Sequence, residues 1–327
     1  MQIHTTNQTI SEFKKNRFPE IAHFPKHFVE DRIPIDVRNS YTIREEFSVK
    51  GISTLENQPS TIRVKPASGS FSKFSHSQKT LELKPEFCIK GNHNIQLGEV
   101  KIIEHPIALQ SAFGLYLDFE LEKPSFPTFD FCDQIYLEGL EKNLQKIGEV
   151  PPITVSKPFA VSWEKGYCIL EPDSGDQKLI LDHQVSYPGV TVGNSRILTE
   201  MTPEIFSYIA SARTTAFRPG EEAEKFYRIG LAGGLKDYPF TLENVILLNE
   251  EKIFNPREKF THEGKNYEFL AHELIDILAW LRFVEEEYKG RFVGKMTTFL
   301  FDHHKQIDIA RFVCDRKEFS EIGIRIL

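Results

Sequence analysis

FLAHELIDILAW, residues 269–280, sets His272 and Asp276 four positions apart inside an apolar run. Phe269, Leu270, Leu274, Ile275, Ile277 and Leu278 recur at the spacing of an amphipathic helix. On such a helix, positions i and i+4 lie one above the other on the same face, so the imidazole and the carboxylate can converge on one metal ion. A catalytic zinc usually takes three protein ligands and leaves the fourth position open. The pair alone describes a surface ion pair equally well. The rest of the chain must therefore supply a third ligand, a base and an oxyanion donor.

Composition narrows the class. At 327 residues the chain is long enough for two domains and a substantial core, and its 40% hydrophobic and 27% charged content is that of a folded globular protein. A net charge of -7 without a long Lys/Arg block argues against an extended nucleic-acid footprint. Cys88, Cys132, Cys168 and Cys314 form neither a CxxC pair nor a disulfide-like framework, which points to reduced thiols in a cytoplasmic enzyme. The N-terminus lacks an apolar leader, and no run approaches the ~20 residues needed to cross a bilayer, so a soluble protein is expected.

Residues 1–40 sustain no period and read as an extension packed against a domain. Beyond them, 41–51 and 60–68 alternate as strands joined by a turn near residues 56–59, while Ser-rich 69–79 reads as loop. Within 100–122, Ile103, Ile107, Ala108, Ala112 and Leu115 fit a buried helix face and LYLDFELE alternates as a strand. Pro106 is compatible with a first helical turn, placing Glu104 and His105 near the helix start. Neighbours there point about 100 degrees apart, so the His can bind a metal while the Glu reaches a water on it. A helix is predicted over 132–146, and a rigid break at Val150, Pro151 and Pro152 marks an interdomain linker. A strand series follows, then a helix opening at Thr202 within 201–217, a strand and turn over 243–254, and a strand leading into a helix over 290–313 with His303 and His304 at the junction. Each half runs strands, helix, strand, helix, and the expected division is 1–40, 41–150 and 151–327.

In this order, EHPIALQSAFGL, PSFPTFD, SARTTAF, GLAGG, ENVILLNEEKIFN, HELID and DHHKQ resemble the zinc-dependent UDP-3-O-acyl-N-acetylglucosamine deacetylases of lipid A biosynthesis, the LpxC family, from about Thr42 to Val313. The resemblance implies an α+β fold of two α/β sandwich domains, each a β-sheet with helices packed between the two sheets, and a site at their junction. It implies Zn2+ held by His105, His272 and Asp276, and Glu104 as the base that activates water at the zinc. Thr214 would be an oxyanion donor. The general acid falls on His303 or His304, with the register favouring His303. The implied partner is an acylated UDP-amino sugar, and the implied state a cytoplasmic monomer. Asp130 would organise a loop, and Arg213 would brace the site through an ion pair.

Some positions depart from the family pattern. Leu55 stands where a His is expected, Glu273 where a Lys often follows the metal-binding His, and Trp280 where a carboxylate orients the late His. Asp302 or Asp308 is the candidate replacement for that carboxylate, and LKDYPFTL, 235–242, is extra sequence. These departures keep open a diverged non-catalytic paralogue that binds zinc or a sugar nucleotide, or a deacetylase of another N-acyl amine.

Overall fold

Alternating apolar positions become the inner faces of two sheets. The computed structural model describes residues 1–15, 18, 35–91, 93–127, 133–140, 143–235 and 240–327. Its first main sheet has the strand order Phe47–Ile52, Pro59–Pro66, Leu117–Leu121, Lys73–His76, Lys79–Glu82. Ile62 and Val64 on one strand and Leu117, Phe119 and Leu121 on its neighbour point inward, as period-2 patterning requires. The second sheet runs Gln2–His4, Phe159–Ser162, Tyr167–Glu171, Gly294–Phe299, Leu179–Tyr187, Gly193–Glu200.

Seven helices complete the described residues: α1 (Asn7–Phe13), α2 (Glu104–Phe113), α3 (Gln134–Leu140), α4 (Pro203–Ile209), α5 (Gly220–Leu231), α6 (Glu268–Tyr288) and α7 (His303–Cys314). The inner faces of both sheets share one hydrophobic core with α2, α6 and α7, so the helices lie between the sheets in an α+β fold, as expected. All of α2 is buried, and it packs along α6. It ends at Gly114 with φ +65, where a Cβ would meet Arg291 Nη1 at 2.4 Å, so glycine fits this left-handed turn without strain and leaves room for the guanidinium.

The structure corrects four sequence expectations. Of the helix expected over 132–146, Gln134–Leu140 is helical, and Leu144–Glu149 is instead a strand antiparallel to Asn39–Ile43, a long-range pairing that overrides the local pattern. The Ser-rich loop contains the strand Lys73–His76, which buries Phe74 parallel to Leu117–Leu121. The stretch opened by Thr202, which caps α4 as predicted, leaves the helix after Ile209, and Thr214–Phe217 pairs as a strand with Val245–Leu248. Finally, the first residues do more than pack against a domain: Gln2–His4 adds an edge strand to the second sheet, with His4 opposite Ala160, and Ile10 of α1 is buried with Tyr167 and Ile169 on that sheet's outer face, apart from the shared core.

Candidate metal centre

Helix α6 carries two of the expected ligands because its apolar residues hold it against α2, turning the His272 and Asp276 face toward the start of α2. His272 Nε2 lies 3.6 Å from Asp276 Oδ2. Its Nδ1 lies 3.0 Å from the Ala212 carbonyl, which can only accept, so Nδ1 carries the proton and Nε2 keeps its lone pair. His105, the second residue of α2, brings its Nε2 within 4.0 Å of Asp276 Oδ1. One ligand atom from each of the three lies within 4.8 Å of the others, and all three residues are buried. Ligand atoms around a tetrahedral zinc stand ~3.4 Å apart, given bonds of ~2.1 Å. The donor set, its spacing and the unpartnered Asp276 Oδ1 fit such an ion. Among the described residues this is the one such cluster.

Two titratable groups face the cluster. Glu104, the first residue of α2, is 3% exposed and accepts from Ile95 N at 2.9 Å. Its carboxyl is pushed up to about 7, chiefly by burial; Asp276 adds to the rise and His303 opposes it. His303 opens α7, with Nε2 3.7 Å from Asp276 Oδ2. Burial works against its charged form, yet the Asp276 and Glu104 carboxylates prevail and hold it above the ordinary imidazole range. Burial and the neighbouring His272 instead push His105 down to about 3, which keeps its ring neutral and able to bind a cation. Of the paired histidines, His303 faces the cluster, whereas His304 bonds the Gly91 carbonyl.

Thr214 begins its strand two residues after the carbonyl that orients His272, and that strand packs against α6. Between them, buried Arg213 grips Glu268 at 2.7 Å and 2.8 Å, with further bonds to the Leu242 and Asn255 carbonyls. The ion pair expected of Arg213 is thus present, and its partner is the first residue of α6.

Neither aspartate named as a partner for the late histidine serves as one. Asp302 caps α7 by accepting from Lys305 N, and Asp308 pairs with Lys90 at 3.1 Å. His303 Nδ1 instead meets Gln306 Oε1 at 3.3 Å. No sequence pattern singled Gln306 out, although its i+3 spacing on α7 was the available signal. Trp280 is fully buried, edge-on to Phe301 at 6.2 Å. Leu55 is 51% exposed, on a loop that Glu56 ties to Ser53, Ser125 and Lys101. Glu273 stands 3.9 Å from His183 Nε2, and burial followed by Asp276 pushes its carboxyl up to about 8. Asp130, Cys132 and residues 236–239 of the extra stretch lie outside the described residues.

A family model for UDP-3-O-acyl N-acetylglycosamine deacetylase (LpxC) matches residues 40–311. Curated relatives carry the name UDP-3-O-acyl-N-acetylglucosamine deacetylase. That of Nautilia profundicola is 26% identical over 275 residues, covering 80% of this chain and 87% of the relative. That of Lawsonia intracellularis is 30% identical over 210 residues, 62% of each chain. That of Synechocystis is 23% identical over 270 residues, covering 78% of this chain and 92% of the relative.

Proposed function

Because the chain belongs to the UDP-3-O-acyl-N-acetylglucosamine deacetylase family, we propose that it is a zinc-dependent hydrolase that removes the N-acetyl group from an acylated UDP-N-acetylglucosamine in lipid A biosynthesis. The observation that carries this reading is the meeting of His105 with His272 and Asp276, from opposite halves of the chain, beside Glu104 and His303. We divide the chain into an extension, 1–40, and two domains, 41–150 and 151–327, which places the site at their junction. No helix among the described residues is long and apolar enough to cross a membrane. The working assignment is a cytoplasmic monomer.

His105, His272 and Asp276 would hold the zinc, which when bound supplies Lewis acidity, polarising the amide carbonyl and acidifying water. Glu104 takes the proton from the attacking water; a carboxyl raised toward neutrality is a stronger base than an ordinary one. The Thr214 hydroxyl donates to the oxyanion as the carbonyl becomes tetrahedral, a contribution of about 3 kcal/mol for one well-aimed donor. His303 then passes a proton from Nε2 to the departing sugar nitrogen. The C–N bond breaks, leaving acetate and a free amine. Burial of Glu104 and both ligand histidines excludes bulk water and strengthens each of these interactions.

The deciding experiment measures metal content and acetate release on purified protein. One zinc per chain, with turnover of the acylated UDP-sugar that Glu104→Ala abolishes without losing the metal, is the expected result. The second reading is a zinc-binding protein without this turnover, favoured by Glu273, a carboxyl beside His272. Retained zinc with no acetate from substrates of any acyl length would establish it and overturn the first.

A further inference from the structure

Gln306 is 1% exposed on α7, one turn beyond His303. Its two amide ends have different partners: Nε2 donates to the Phe301 carbonyl at 3.3 Å, and Oε1 lies 3.3 Å from His303 Nδ1. Turning the amide over would set Oε1 against the Phe301 oxygen, two acceptors face to face. The Phe301 carbonyl therefore dictates which end of Gln306 meets the imidazole. An oxygen presented to Nδ1 requires a proton there, which leaves Nε2 for the side of the ring facing Asp276 Oδ2, 3.7 Å away.

The surroundings leave this task to an uncharged group. Asp302 is committed to the helix cap and Asp308 to Lys90. One turn beyond Asp276, α6 presents the fully buried Trp280, whose ring packs edge-on against Phe301. The tryptophan that excludes a carboxylate from this wall thus also steadies the residue whose carbonyl fixes Gln306.

We propose that Gln306 is the positioning residue for His303, fixing through a neutral hydrogen bond the tautomer and ring orientation that direct Nε2 into the site. This rests on the reading of His303 as the group that protonates the departing amine. Gln306 touches no reacting atom; it acts through the imidazole.

The test compares Q306M, which keeps the volume and loses the acceptor, with Q306E, which keeps an acceptor, and with H303A. The expected result for Q306M is a kcat lower by roughly ten- to a hundred-fold, the range for lost partners of a site histidine, with KM and bound zinc unchanged. Q306E keeps an acceptor for Nδ1 but sets its second oxygen against the Phe301 carbonyl, so it should lose less kcat than Q306M. Nitrogen-15 NMR of the zinc-loaded protein at alkaline pH should show the Nδ1–H form of His303 in wild type and Q306E and a tautomer mixture in Q306M. Wild-type kcat and tautomer in Q306M would overturn the proposal. So would equal losses in Q306M and Q306E, which would make Gln306 only a brace for the Phe301 carbonyl. Full turnover in H303A would instead remove the catalytic reading of His303, and the tautomer measurement would still decide what Gln306 does.

Discussion

Arg213 and Glu268 are both nearly sealed from solvent, so each needs the other to offset the cost of losing water. Arg213→Ala leaves Glu268 with the backbone N–H of residue 213, at 3.2 Å, and Arg257, 3.8 Å away, and should lower the unfolding free energy by about 3–5 kcal/mol in denaturant titrations. His183 makes a pH-dependent contribution. Burial holds its pKa at about 3 against 6.5 in the unfolded chain, so below pH 6.5 the unfolded state binds a proton that the native state refuses. Its contribution is intact above pH 6.5 and is lost as pH falls, by about 2 kcal/mol at pH ~5. His183→Phe should flatten that part of the stability–pH curve, read from denaturation midpoints at several pH values. At this scale the sequence disclosed His272 and Asp276, whose helical spacing is local information. It did not disclose Gln306, because a glutamine on a helix has no distinguishing pattern until its amide is seen between Phe301 and His303.

Helix α6 links the metal cluster to a second polar feature two turns on. Arg282 and Glu286, both buried, pair at 2.8 Å, and Glu286 also accepts from Ser72 N at 3.0 Å, bridging to the first sheet. Glu286→Ala leaves the guanidinium with Glu285, 3.9 Å away, and the face of Tyr116, and should cost about 3–5 kcal/mol, measured as a fall in the denaturant midpoint. A milder case is the cap of α4, where Thr202 accepts from Ile205 N; Thr202→Ala should cost about 1 kcal/mol by the same measurement. That cap was readable from Thr-Pro-x-x, and α2, α6 and α7 from their apolar periods. The strand Leu144–Glu149 was not, because its partner lies a hundred residues back along the chain, and a short polar segment gives no local sign of such a pairing. The strand Lys73–His76 was hidden because it is short and polar, with Phe74 its one fully buried side chain beside a lysine, a serine and a histidine.

Across the whole molecule, the cluster joins parts of the chain that nothing else at that point ties covalently. A metal bound only by the folded form stabilises it in proportion to the logarithm of its concentration over its dissociation constant. Chelation should therefore lower the melting temperature by roughly 5 °C, with recovery on adding zinc, and His105→Ala should abolish the shift. Equal melting curves with and without chelator would show that no ion bridges the halves. The two-sheet architecture was implied by the family resemblance, with which the order of strands and helices agreed, but the edge strand Gln2–His4 was not legible, since three residues show no period. The placement of the cluster also bears on biosynthesis. Its first member, His105, is translated more than 160 residues before His272 and Asp276, with His303 later still. A chain that stops short of residue 272 therefore lacks two of the three donors and cannot capture the ion in this site.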